Sequence, residues 1–507
     1  MTQTVLHVKP ISRTIRPLRQ ATARHYGSHP YFTRRPWNVV QAYIKNFTKP
    51  GDTVLDPFGG SGVTAIESLV LRRRAIHVDI NPLANFIAKE IAIAPVDLDT
   101  LSRTYHAILD ACRPQIDSWR RQPNSFFEHN PVPYWYPRSA SLPRNADVKY
   151  VEDLFTRRQL FVLSLLLDRI AAVRNPTSRD LLRFCFSATL AKTNRTFISA
   201  RNRAETRGGP SIFSIYRYNV PSQPVELDPW TQFQERFSNL MHCKKETNHL
   251  IGSFYSEEDC LILHGSAARL PRSIAPASVA YVFTDPPYGG HIAYLDLSTM
   301  WNEWLRLTVS SKDREAEMIE GGDNKHTRDH YLSLLDQSVS EIARVLKPGG
   351  WLSIVFEHSD GSLYAAILDA AKKHGLTYSN AVAQSLDVVW SMHKKKHQKT
   401  VLSGELILNF CKSHSVRPTP HRSPRPTLSQ LVVRAAQSYC GSNGGATTEE
   451  IFNDVMRRAI DSGMLDSIPV TLRDIFDLLV ESGYQYDRHS RRWRHKSQPP
   501  SPQDTLF

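Results

Sequence analysis

The apolar run Val279–Phe283 stops at Thr284-Asp285-Pro286-Pro287-Tyr288. Proline has no backbone N–H and fixes φ at about −65°, so a β-ladder cannot run on through two consecutive prolines. The segment reads as a buried strand ending in a rigid turn that carries a carboxylate and an aromatic ring. A second strand end lies far upstream. There Val54-Leu55 leads into Asp56-Pro57-Phe58-Gly59-Gly60-Ser61-Gly62, and a helical pattern follows at Val63–Leu71. Glycines in that turn permit positive φ and close backbone approach. In an open parallel sheet, ligands collect beyond the carboxyl ends of the strands. Two such ends predict an α/β chain with its chemistry at the strand tips.

The flanking pattern extends this reading. Ala75–Val78 is a second strand, ending at Asp79. Cys260–His264 and Trp351–Phe356 read as further buried strands, and Tyr331–Leu346 as a helix before the turn Lys347-Pro348-Gly349-Gly350. The last two strands are expected at Asp387–Trp390 and Glu405–Phe410, on either side of the basic tract His393–Lys399. Strand–helix alternation in two blocks implies one doubly wound sheet interrupted once. The expected division is a catalytic domain of residues 25–96 and 256–412, an inserted substrate region of residues 97–255, a Pro-rich basic linker at 413–427, and a C-terminal accessory domain at 428–496. The insertion has strong helical patterns at Arg158–Arg174 and Asp180–Lys192. The C-terminal block offers Thr471–Val480 as a helix and Arg488–Arg494 as a basic wing, so a winged-helix-like module or a small helical interaction domain both fit.

The glycine turn and Asp79 describe a nucleoside cofactor. Asp79 follows Asp56 by 23 positions, where a carboxylate can accept both hydroxyls of a ribose. The turn is not GxGxxG, and an acidic residue precedes it. Asp56 suits an amino group better than a pyrophosphate, which favours the methionine end of S-adenosylmethionine. Gly62 opens a helix whose N-terminus favours a carboxylate.

The Asp-Pro-Pro-Tyr stretch describes what that cofactor meets. An exocyclic base amine is a poor nucleophile because its lone pair is delocalised into the ring. Two acceptors aimed at its hydrogens, the Asp285 carboxylate and the Pro286 carbonyl, make the nitrogen more tetrahedral. Pro287 stiffens the turn, and Tyr288 stacks on the base. Of the aromatics that follow, Tyr294 is a pocket candidate, whereas Trp301 and Trp304 have the helical spacing of core residues.

Here the chain resembles the amino-group (N6-adenine or N4-cytosine) DNA methyltransferases, over roughly residues 25–96 and 260–412. Asp56–Gly62 resembles their cofactor motif and Asp285–Tyr288 their catalytic motif. His29-Pro30-Tyr31-Phe32 is similar to the family segment that caps the methionine end of the cofactor. The resemblance implies a Rossmann-like sheet with a terminal antiparallel hairpin and S-adenosylmethionine as cofactor. It implies a cofactor site made of Tyr31, Phe32, Asp56, Pro57, Phe58, Gly59, Gly60, Gly62, Asp79, Ile80 and Ser266. Asp-Pro-Pro-Tyr favours adenine N6 over cytosine N4. His264-Gly265-Ser266 stands where relatives often have Gly-Asp, so Ser266 takes the place of the usual carboxylate to the cofactor adenine. The segment Tyr294, Leu297, Trp301, Leu305 resembles bacterial modification enzymes carried with defence systems, which implies a restriction or defence partner.

Net charge is +14 over 507 residues, which favours a polyanionic partner. Double-stranded DNA with a flipped target base is the expected substrate, because a base inside a duplex cannot reach such a pocket. Arg195, Arg201 and Arg203 lie in a loop of arginine, asparagine and glycine suited to phosphate contacts, and Lys394 and Lys395 in the basic tract suit the backbone as well. Cytosine-C5 chemistry is excluded: none of the six cysteines follows a proline. Transfer-RNA guanine-N2 methylation, which uses similar motifs, and a non-catalytic cofactor-sensing DNA-binding subunit stay open. The dispersed cysteines suit a reducing cytoplasm and support no zinc site. No apolar stretch reaches the roughly 20 residues that a membrane-spanning helix takes.

Overall fold

The protein is described from a computed structural model. It covers residues 8–18, 24–199, 208–210, 212–252, 255–290, 292–385, 404–412, 426–440, 445–465, 470–488 and 490–496. The main sheet has seven strands: β1 Thr53–Asp56, β2 Arg74–Asp79, β5 Cys260–His264, β6 Val279–Thr284, β7 Leu346–Phe356, β8 Leu376–Ser385 and β9 Gly404–Lys412. Two short pieces in the insertion, β3 Phe197–Ser199 and β4 Gly208–Pro210, form a separate antiparallel pair. The order across the main sheet is β5-β2-β1-β6-β7-β9-β8. Neighbours pair in parallel from β5 to β7, and β9 runs antiparallel to both β7 and β8. This is the Rossmann-like methyltransferase arrangement with its terminal hairpin. The strand order reverses between β1 and β6, so the crevice where such sheets bind ligands opens between the two motif-bearing strands.

Alternation along the strands divides the core. Val54, Tyr281 and Phe283 face one layer, while Leu55 and Val282 face the other. The first layer holds the helices Trp37–Phe47, Val63–Val70 and Pro82–Ala92 and runs without a break into the helical insertion. The insertion's long helices, Leu98–Arg120, Arg157–Ala171, Pro176–Leu190 and Pro229–Leu250, start at Asp97, Thr156, Asn175 and Asp228. Each of these N-cap side chains accepts from the first turn, the usual way to satisfy the orphan amides there. The second layer holds the helices Arg328–Val345 and Gly361–Lys373 together with the C-terminal helices Leu428–Cys440 and Thr448–Asp461. The C-terminal block thus shares one apolar core with the sheet. Gly361 N also donates to Val470 O at 2.9 Å. A two-stranded hairpin, β10 Tyr484–Asp487 and β11 Arg492–His495, closes the block.

Two elements differ from the expected pattern. The partner of β9 is Leu376–Ser385, whose strand character is hidden by an irregularity between Tyr378 and Asn380, and Asp387–Trp390 lies outside the described residues. The Lys347–Gly350 turn is the opening of β7 itself. No described helix is long and apolar enough to cross a membrane.

Candidate active site

The two motif strands are tied at their tips. β1 and β6 pair through Val54 with Tyr281 and Leu55 with Val282, which brings Asp56 beside the end of β6. Thr284 Oγ1 donates to Asp56 Oδ1 at 2.8 Å, Phe58 N donates to the same oxygen at 3.1 Å, and Thr64 Oγ1 donates to Oδ2 at 2.7 Å. Burial lifts the Asp56 carboxyl to about 7, opposed by these three hydrogen bonds. Asp56 therefore clamps the glycine turn and the helix after it to the end of β6.

One cavity spans both motifs. Its walls include Tyr31, Asp56, Pro57, Phe58, Gly59, Gly60, Asp79, Ile80 and Ser266 from the expected cofactor set, and Asp285 and Pro287 from the catalytic turn. Gly60 has φ +52°, and its N–H donates to Asp79 Oδ2 at 2.7 Å while Asn81 N donates to Oδ1 at 2.8 Å. Burial raises Asp79 to about 6, and the same backbone donors pull against that rise. A Cβ on Gly60 would lie 3.4 Å from Tyr31 Cε1, so the turn is open where a side chain would narrow it. Tyr31 stacks on Tyr294 with ring centroids 6.3 Å apart, and both line the cavity. Ser266 Oγ accepts from Ala268 N and begins a short turn at the cavity wall.

Not every expected residue reaches this space. Phe32 is packed in an aromatic cluster with Phe213, Tyr294 and Trp301 and does not line the cavity. Gly62 has φ +85° at the helix N-cap, and a Cβ there would sit 2.7 Å from Ala88 Cβ, so its place is dictated by helix packing. Pro286 is buried behind the turn, and the Pro287 carbonyl accepts from Tyr331 Oη at 2.7 Å. Trp301 and Trp304 are fully buried. In the insertion, Arg195 Nη1 donates to Asp153 O at 3.1 Å, and Arg157 and Arg158 bind carbonyls of Phe127, Asn130 and Gln122. Arg201, Arg203, Lys394 and Lys395 lie outside the described residues.

Arg35, Glu405 and Glu317 stand at the site with no motif signal. Arg35 Nε donates to Asp285 Oδ2 at 2.5 Å, Arg35 Nη2 donates to Tyr288 Oη at 2.9 Å, and Arg35 Nη1 is paired with Glu405. Tyr288 Oη in turn donates to Asp285 Oδ1 at 2.5 Å. Burial pushes the Asp285 carboxyl up, and Arg35 opposes the rise. Glu317 also lines the cavity, accepts from Leu295 N at 3.0 Å, and is lifted to about 7 by burial. In sequence, Arg34-Arg35 reads as a surface charge pair, and Glu405 as the polar edge of a strand. Nothing in the sequence links positions 370 residues apart.

Residues 10–90 match the family model described as DNA methylase. The type II methyltransferase M.MvaI of Kocuria varians is 25% identical over 264 residues, 51% of this chain and 52% of that protein. The type II methyltransferase M.MjaII of Methanocaldococcus jannaschii is 28% identical over 85 residues, 17% of this chain and 16% of its own length. The chain therefore spans about half of one relative and a smaller part of the other. A solved S-adenosylmethionine-dependent methyltransferase of Methanosarcina mazei aligns over 73% of this chain and 97% of its own, with 8% identity and a TM-score of 0.28, and adds nothing to the sheet order itself. Residues 10–90 thus match the DNA methylase model, and the two motif-bearing strand tips lie side by side.

Proposed function

We propose that the protein transfers a methyl group from S-adenosylmethionine to the N6 amine of adenine in DNA. The observation that carries this reading is the single cavity walled by both Asp79 and Asp285, tied together through the Asp56–Thr284 hydrogen bond. When bound, S-adenosylmethionine supplies an electrophilic methyl group, and its S–C bond breaks as the N–C bond forms. Asp79 has lone pairs left for ribose hydroxyls after accepting from Gly60 and Asn81. Tyr31 covers the glycine turn. The target amine donates to Asp285 and to the Pro286 carbonyl, and Tyr288 lies against the base. The proton lost by the amine passes to Asp285 or to water. Positioning and electrostatics supply the rate.

Arg195, Arg201, Arg203, Lys394 and Lys395 are proposed to meet phosphates, in keeping with the +14 net charge. Cytosine N4 presents the same pair of amine hydrogens. Methylation-aware sequencing of DNA from cells with and without the protein separates the two bases. N6-methyladenine at a fixed sequence is expected. N4-methylcytosine there would replace the adenine assignment, and unmodified DNA would turn the reading toward RNA.

A further inference from the structure

Each oxygen of Asp285 already accepts one short hydrogen bond before any base arrives. Arg35 Nε takes Oδ2, and Tyr288 Oη takes Oδ1. The Arg35 guanidinium bridges Asp285 and Glu405, whose side chains are 20% and 3% exposed. One cation thus faces two carboxylates. A target amine cannot donate to Asp285 along the same direction while the guanidinium is there. It also cannot leave Arg35 without an acceptor, since an unpaired buried charge is costly. Glu405 provides that acceptor: it is held on β9, the strand next to β7, and remains bonded to the guanidinium if the Asp285 contact is released.

We infer that Arg35 is a positioning residue that stands in for the target amine on Asp285 and withdraws onto Glu405 when a base occupies the site. The inference rests on the reading above that Asp285 receives a base amine. It explains a preference for substrates that donate. An amine restores the hydrogen bonds that Asp285 loses, whereas a base with a carbonyl at that place would leave Asp285 facing an acceptor. It also gives Arg35 a second task, the ionisation of Asp285 in the empty site. The other groups facing Asp285 are Glu405 from β9, Asp56 from β1, Tyr288 from its own turn and Tyr294 from the helix that follows. Among these groups Arg35 alone is cationic.

The test compares wild type, Arg35→Gln and Arg35→Lys in the full chain. Methyl transfer to duplex DNA is followed against pH, and the fluorescence of 2-aminopurine placed beside the target adenine reports extrusion of that adenine. With Arg35→Gln, the acid limb of kcat is expected to move up by about one pH unit or more. The 2-aminopurine signal should rise, because the competitor is gone, and Arg35→Lys should bring both back toward wild type. Superimposable pH profiles with unchanged fluorescence would overturn the inference. So would a fall in kcat that is uniform over pH and not relieved by lysine. If wild type transfers no label to any nucleic acid, the methyltransferase reading fails by itself. The Arg35 assignment is then decided by difference infrared spectra with Asp285→Asn as the blank. A protonated Asp285 band at neutral pH in Arg35→Gln but not in wild type supports it, and equal spectra overturn it.

Discussion

Thr284 Oγ1 donates to Asp56 Oδ1 at 2.8 Å, and both side chains are buried. The pair joins residues 228 positions apart at the point where the sheet reverses its order. Thr284→Val keeps the shape and removes the donor. The loss of one hydrogen bond to a buried carboxylate should cost about 1–3 kcal/mol. Urea unfolding is expected to show a lower midpoint at unchanged slope, with Thr284→Ser close to wild type. A midpoint that does not move would show that the strand tips are held by other contacts.

Gly59 is required by what lies beneath it. A Cβ at this position would meet His77 Nδ1 at 2.2 Å and Cε1 at 2.3 Å. The ring is buried, and desolvation lowers His77 to about 4, so it is neutral. Its Nε2–H donates to Asn85 Oδ1 at 3.1 Å while Asn85 Nδ2 donates to Asp79 O at 2.9 Å, which fixes the ring in place. Gly59→Ala should therefore destabilise the fold by about 1–3 kcal/mol through overpacking. The double variant Gly59→Ala/His77→Ala should recover part of that loss. Additive costs in the double-mutant cycle would sink this explanation.

The frame of the site was legible in the sequence because each motif is local. A strand, a turn chemistry and a helix start follow one another within about ten residues at Asp56 and at Asp285, and backbone rules act at that range. A doubly wound sheet interrupted once followed from the two α/β blocks, while its strand order did not. The residues that complete the site were not legible for the opposite reason. Arg35 and Glu317 reach the cavity, and Glu405 reaches Arg35, through tertiary packing, and each has an ordinary reading in its own neighbourhood. Phe32 shows the converse error. Its neighbour Tyr31 lines the cavity, but Phe32 turns to Phe213 and Trp301, and a linear motif cannot tell which of two adjacent rings faces inward. The strand Leu376–Ser385 was hidden because an irregularity between Tyr378 and Asn380 breaks the period of two on which a strand is recognised.

Glu90 gives a pH-dependent stability with a definite sign. It is buried beneath the helix Pro82–Ala92, and its Oε1 has no hydrogen-bond partner. Burial raises its carboxyl from 4.5 to about 7, with Lys89 as the main opposing charge. Because the folded-state value is the higher one, the folded protein binds the proton more tightly. The stabilisation is complete below the unfolded-state value and is lost as pH rises through about 7. The free energy of unfolding of wild type, measured relative to Glu90→Gln, should therefore fall between about pH 5 and about pH 8, by an amount on the order of 2 kcal/mol. Parallel stability curves for the two proteins across that range would refute the assignment. The difference between the curves matters because Asp56, Asp79 and Glu317 are raised in the same direction.

Asp79 and Asp285 line one cavity but should fail in different ways. Asp79 holds the glycine turn through Gly60 N, and in the proposed function its remaining lone pairs meet a ribose. Asp79→Asn exchanges one acceptor oxygen for a donor, so the turn and the hydroxyls compete for what is left. Cofactor affinity by calorimetry should drop by about 10- to 100-fold, the equivalent of about 1.4–2.7 kcal/mol. Asp285 makes its bonds to Arg35 and Tyr288 and directly follows β6. Asp285→Ala should leave cofactor affinity within about threefold of wild type while methyl transfer falls by at least about 100-fold, the loss typical of removing one group that stabilises the transition state. The two effects must stay separate. An Asp285→Ala protein that no longer binds cofactor, or an Asp79→Asn protein that binds normally and turns over slowly, would mean that the nucleoside and amine ends of the cavity have been assigned the wrong way round.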